Sequence, residues 1–164
     1  MLILIPCISK SIYILIIKTD IFSIVSEQKT SPCYLCARMR RGYLYHEAKK
    51  LGCNKIALGH HFDDVIETFM LNLFFEGRIG AFSPVTYLSR KDITMIRPLI
   101  HLTENDVELA IKRLNLPVVK SKCPADGTTE RQEVKEFLNS LEKKYGNVRE
   151  KILGAMQRKE INGY

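Results

Sequence analysis

The sequence predicts an α/β fold around a mostly parallel sheet, and three features carry that reading. Short apolar runs at Ile12–Ile17, Ile56–Leu58 and Ile93–Ile96 read as strands. A helical stretch from Leu35 to Leu51 lies between the first two, and strand–helix–strand makes a right-handed crossover unit of a parallel sheet. After Gly59 the pattern turns helical. Val65, Ile66, Phe69, Met70, Leu73 and Phe74 fall on one apolar face of a 3.6-residue period.

Taken in order, Ile12–Ile17 is rich in β-branched residues and gives way to a turn at Lys18-Thr-Asp20. Lys29-Thr-Ser-Pro32 is a loop that presents Cys33. The helix that follows turns Met39, Tyr43, Leu44 and Ala48 inward, and Arg38, Arg41, Tyr45 and Lys49 outward. Gly52 ends it in the usual C-terminal position. Phe82-Ser-Pro84 is a loop, and Pro98 stops the strand at Ile93–Ile96. Thr103-Glu-Asn-Asp106 has the form of a capping box with Asp in place of Glu or Gln, opening a helix through Leu114. Pro117-Val-Val119 is extended and delivers Cys123. Thr128 or Thr129 caps a last helical region, interrupted at Gly146-Asn147.

With 164 residues, one core and one domain are the default. An apolar fraction of 46% with 26% charged residues is that of an ordinary globule, not of a disordered chain. A formal charge of +7 favours an anionic partner such as nucleic acid. The apolar start has no basic leader, and its clean run of six residues, Ile12–Ile17, falls far short of the roughly 20 needed to span a bilayer. A buried strand is expected there, with no membrane partner.

Two clusters carry chemistry. At the end of the Ile56 strand, Gly59, His60, His61, Asp63 and Asp64 crowd the start of a helix, where ligands bind in open parallel sheets. Asp63 and Asp64 equally suit a first helical turn as capping acids, and the histidines suit packing. The second cluster is cysteine. Five cysteines form no regular disulfide framework, which points to a reducing cytoplasm and to metal or redox chemistry for Cys33-Tyr-Leu-Cys36. Cys7 and Cys53 adjoin apolar segments and read as core. Cys123 stands in a loop after a strand, a suitable place for a third ligand. Structural zinc wants four protein ligands, so zinc must recruit Cys53 or a histidine.

Gly59-His-His-Phe-Asp-Asp-Val-Ile-Glu-Thr68 resembles the GHHxDDxxET signature of the PP-loop ATP pyrophosphatases that modify tRNA, and within them the 2-thiocytidine synthetases. The likeness runs from about Tyr13 to Gln157. It includes Cys33-Tyr-Leu-Cys36 with Arg38-Met-Arg-Arg-Gly42, then Arg97-Pro-Leu99, Cys123-Pro124 and Arg131-Gln132. The resemblance implies a Rossmann-like, three-layer sandwich of the adenine nucleotide alpha hydrolase type, lacking its first strand and helix. Residues 1–11 lie outside it, 12–127 form the α/β part and 128–158 the C-terminal helices.

It also implies ATP-dependent 2-thiolation of a tRNA cytidine. Cys33, Cys36 and Cys123 would hold a 4Fe-4S cluster with one iron open, consistent with thiolate ligation of such clusters. Gly59, His60, Asp63 and Asp64 would bind nucleotide, with Asp64 orienting ATP or Mg2+. Arg40 would steady the phosphate, and Arg38 and Arg41 would contact tRNA. A cysteine desulfurase or sulfide would donate sulfur, and a homodimer is compatible. The family's ATP-binding SGGxDS loop is absent, the first glycine being Gly42. A truncated chain that does not bind ATP alone is therefore expected. A zinc-binding nucleic-acid module and an inactive remnant are the alternatives.

Overall fold

The computed structural model describes residues 2–6, 12–16, 32–118, 123 and 129–164. The chain forms two compact units, one of residues up to Leu58 with Val85–Ile96, the other of Gly59–Pro84 with Arg97–Tyr164.

In the first unit, β1 (Leu2–Pro6) pairs antiparallel with β2 (Ile12–Ile16), Leu2 opposite Ile16 and Pro6 opposite Ile12. The Ile12 strand is therefore real, but its partner is the chain before it, not the Ile56 strand. β3 (Lys55–Ala57) lies parallel to β5 (Ile93–Ile96), and β4 (Val85–Leu88) lies antiparallel to β5, in the order β3-β5-β4. This sheet is mixed where a mostly parallel one was expected. The difference is β4, which follows the Pro84 loop directly. It is an edge strand with Val85 and Tyr87 exposed, so it lacks the apolar run that marks a buried strand.

Helix α1 (Pro32–Lys50) starts three residues before the expected Leu35. Proline suits a first helical position, where a missing N–H costs nothing, so Cys33 sits in the helix and not in a loop. Leu44 and Ala48 pack on Cys53, Ile56 and Ile93, with Tyr45 and Leu51 against them. The expected places of the tyrosines are reversed: Tyr43 is exposed, and the half-buried Tyr45 hydroxyl donates to Met95 Sδ at 3.2 Å. Both stand roughly 100° from Leu44, on opposite sides. Periodicity could not choose between them; the sulfur does. Gly52, at φ 72°, closes the helix as expected, and Cys53 is core as expected. Cys7 lies outside the described residues.

In the second unit, α2 (Phe62–Phe75) buries Phe62, Ile66 and Met70 against Val134 and Leu138 of α4 (Glu130–Tyr145). Val65 packs with Ile100 and with Met156 of α5 (Val148–Arg158). The apolar stripe holds to Met70. Leu73 and Phe74 are exposed, Phe74 meeting Phe137 edge-on with centroids 5.8 Å apart. Helix α3 (Glu104–Arg113) opens with the expected capping box: Thr103 Oγ1 accepts from Asp106 N at 3.1 Å, and Asp106 Oδ2 accepts from Thr103 N at 2.9 Å. Thr129 precedes α4 without a side-chain cap bond. The break before α5 falls at Gly146-Asn147, with φ of 62° and 52°. Among the described residues, no helix is long and apolar enough to cross a membrane.

Candidate functional site

The chain leaves β3 at Ala57, passes Gly59 and enters α2 through His61, whose extended backbone (φ −117°, ψ −178°) makes it the N-cap. Gly59 is exposed, and a Cβ added there would meet no atom of the described residues within 4 Å. The two acids after it have different work. Asp64 Oδ2 accepts from His61 N at 3.0 Å and stands 3.4 Å from His61 Nε2, closing the first turn. Its Oδ1 faces Arg131 Nη1 at 3.6 Å. Asp63 has both oxygens engaged. Oδ2 accepts from Glu104 N at 2.7 Å, at the positive end of α3, and Oδ1 forms a 3.0 Å ion pair with Arg149 Nε. Both carboxylates thus have a partner on each oxygen, and the Asp64–Arg131 contact at 3.6 Å is the longest of these.

Sequence reasoning gave no role to Glu67, Thr68, Arg131 or Arg149, and the structure joins them. Glu67 is 5% exposed; Arg131 Nη1 donates to its Oε2 at 2.9 Å, and Arg131 Nη2 donates to Thr68 Oγ1 at 3.1 Å. Burial pushes the Glu67 carboxyl above its ordinary range, and the Arg131 hydrogen bond opposes that shift. Arg149, also buried, donates from Nη2 to Asn139 Oδ1 at 2.8 Å. The signature's last two residues thus fasten α2 to the start of α4. A signal existed: Glu67 sits among buried neighbours Val65, Ile66 and Met70, and a buried charge requires a partner.

His60 belongs to a separate contact set. Its ring lies 4.8 Å from that of Phe82, and the buried Arg97 holds its guanidinium 4.7 Å from the same phenyl centroid. Burial lowers the His60 pKa, with Asp64 opposing, so the ring is neutral at pH 7. Its Nδ1 is buried and has no hydrogen-bond partner among the described residues. Such a nitrogen fits a bound polar ligand better than packing alone.

In the first unit, helical geometry sorts the expected residues of α1. Cys33, Cys36 and Arg40 fall within about 60° of one another on one stripe, while Arg38 and Arg41 are turned roughly 110° or more from its centre. Cys33 is exposed and Cys36 half-buried, neither in a disulfide, and Cys123 of the second unit is exposed. In type and exposure they fit a thiolate-held cluster. No acidic residue occupies the first turn of α1, so no side chain of that turn opposes the positive end of the helix. Among the described residues, no three His, Cys, Asp or Glu side chains converge as a metal cage.

An α/β chain with an exposed glycine after a strand and an acidic first helical turn has the layout in which open sheets bind ligands at strand ends. Residues 10–142 match the PP-loop domain, and the chain belongs to that family. It is 41% identical over 143 residues to the tRNA-cytidine(32) 2-sulfurtransferase of Geobacter sulfurreducens, covering 84% of this chain and 56% of the relative. Against the same-named protein of Dechloromonas aromatica it is 37% identical over 147 residues, covering 87% and 51%. Among solved structures it is similar to the U34-tRNA thiolase NcsA from Methanococcus maripaludis with its [4Fe-4S] cluster, with a TM-score of 0.64 and 29% identity, covering 79% of this chain and 44% of that one. The chain spans about half the length of the curated relatives it matches.

Proposed function

We propose that this chain carries the sulfur-side and base-activation residues of an ATP-dependent tRNA sulfurtransferase that replaces the C2 oxygen of a cytidine. The observation that carries the reading is the Cys33–Cys36–Arg40 stripe at the start of α1, in a chain 41% identical to a tRNA-cytidine(32) 2-sulfurtransferase. The cytidine C2 oxygen attacks the α-phosphorus of ATP and expels pyrophosphate; sulfur then adds at C2, and AMP leaves with that oxygen. A 4Fe-4S cluster held by Cys33, Cys36 and Cys123 supplies the sulfur nucleophile when bound.

The chain's own residues hold and orient. Gly59 leaves room for nucleotide at the strand end. His60 Nδ1 offers a neutral hydrogen-bonding group there. Asp64, already fixed by His61 N, orients the nucleotide or its Mg2+. Arg40 steadies charge on the phosphate, where a preorganised cation is worth most. Arg38 and Arg41, both exposed, contact the tRNA backbone. A cysteine desulfurase or free sulfide as donor, a homodimeric state and a cytoplasmic location belong to the same reading.

The 164 residues contain no SGGxDS sequence, which makes nucleotide binding the discriminating test. Joining an upstream segment that bears SGGxDS to this chain is expected to give ATP binding by calorimetry, and Asp64→Ala to abolish it. Binding by the extended chain that ignores Asp64→Ala would remove Asp64 from the nucleotide site.

A further inference from the structure

The residues at the other end of the second unit reach back to the loop that touches His60. Ala81 N donates to Asn162 Oδ1 at 2.8 Å, and the Tyr164 hydroxyl donates to the Phe82 carbonyl at 2.6 Å. Ile161 and Tyr164 pack into the cluster of Val65, Ile100 and Met156, so the stretch from Ile161 to Tyr164 is anchored to the core. Its approach to the loop is close: a Cβ on Gly80 would lie 3.0 Å from Asn162 Oδ1. Gly80 is the residue that lets this side chain in. On its other flank the loop is held by Arg97, whose Nη1 donates to Ser83 O and whose N donates to Pro84 O at 3.1 Å.

Three consecutive residues of this loop, Ala81 to Ser83, are thus each fixed by a hydrogen bond from outside it. Phe82 stands in their middle with its ring 4.8 Å from His60. We propose that Asn162 and Tyr164 are positioning residues, a strap that seats Phe82 against His60 and thereby sets the orientation of the imidazole beside Gly59. The Tyr164 hydroxyl is a suitable fixed donor: burial pushes its pKa up to about 12, with Arg97 opposing, so it keeps its proton at any working pH. The significance of the strap for nucleotide rests on the proposed function, but the strap itself needs no nucleotide to be tested.

The test is histidine-ring NMR of the 164-residue chain, which has four histidines. In the native protein, the His60 ring protons are expected to be displaced by the Phe82 ring current and to show cross-peaks to its protons. Phe82→Leu should remove the displacement. Tyr164→Phe keeps the packed ring and loses only the donor; with Asn162→Ala and Gly80→Ala, it should reduce the displacement and weaken the cross-peaks. The exposed His46 and His101 signals should stay in place, whereas a merely structural role would disturb the rings generally or none. His60 signals unchanged in Tyr164→Phe, Asn162→Ala and Gly80→Ala, while Phe82→Leu moves them, would overturn the strap. So would a His60 signal that Phe82→Leu leaves alone.

Discussion

The start of α1 and the start of α2 both collect residues of obvious chemical type, and they use them in opposite ways. On α1, Cys33, Cys36 and Arg40 share a stripe, and neither cysteine belongs to a packed cluster of the described residues. On α2, Asp63 and Glu67 are committed to Arg149, Arg131 and the N-terminus of α3. The lesson is that membership of one signature does not make residues alike. Part of GHHFDDVIET builds the platform, Gly59 is left exposed, and His60 keeps a ring nitrogen without a partner among the described residues.

Stability measurements should separate the two regions most sharply. Arg131→Met leaves Glu67 buried without its partner, and the cost is about 3 kcal/mol, the low end for a buried pair because the Arg131 side chain is 43% exposed. Chemical denaturation should show a loss of that order. The loss should shrink in acid, because a protonated Glu67 no longer needs a cation. Asp63→Asn should cost less, about 2 kcal/mol, since it weakens one charged contact and one helix-terminal hydrogen bond but keeps an acceptor. Cys33→Ala and Cys36→Ala should stay within about 0.5 kcal/mol of native, as surface changes do. A cysteine variant as destabilised as Arg131→Met would erase the distinction.

A smaller effect lies in pH. The folded pKa of His60 is lowered below 6.5, chiefly by burial. The unfolded chain therefore binds the proton more readily, and the stabilising contribution is complete above pH 6.5 and lost as pH falls through the lowered folded value. His60→Asn should flatten the rise of stability with pH in that interval. Glu67 runs the other way. Its folded pKa is raised, so its contribution is complete below pH 4.5 and fades as pH rises through the folded value. The least effect on stability is expected from Arg38→Ala with Arg41→Ala. That pair should instead reduce the salt dependence of tRNA binding by about one unit per lost phosphate contact.

How far the sequence could be read follows from the range of each interaction. The capping box joins Thr103 and Asp106, three positions apart, and its pattern alone located the start of α3. The strand at Ile93–Ile96 was bounded by Pro98, and α2 by Gly59 and an apolar period. Glu67 and Arg131 are 64 residues apart, and no local pattern links them. Asp63 looked like a simple capping acid, yet the helix it caps is α3, 41 residues on. The tyrosines of α1 flank the apolar stripe symmetrically, so their placement waited on Met95. Val85–Leu88 stayed hidden because its outer face carries no burial to leave a trace.

Whether the α1 cysteines hold a cluster tests the proposed function most directly. Purified or reconstituted without oxygen, the protein is expected to be brown, with broad absorption near ~400 nm and about four irons and four sulfides per chain. Cys33→Ala, Cys36→Ala and Cys123→Ala should each lose this, while Cys53→Ala, a change in the core of the first unit, should keep it. A colourless protein with stoichiometric zinc, or iron retained when Cys33 and Cys36 are both replaced, would contradict the account.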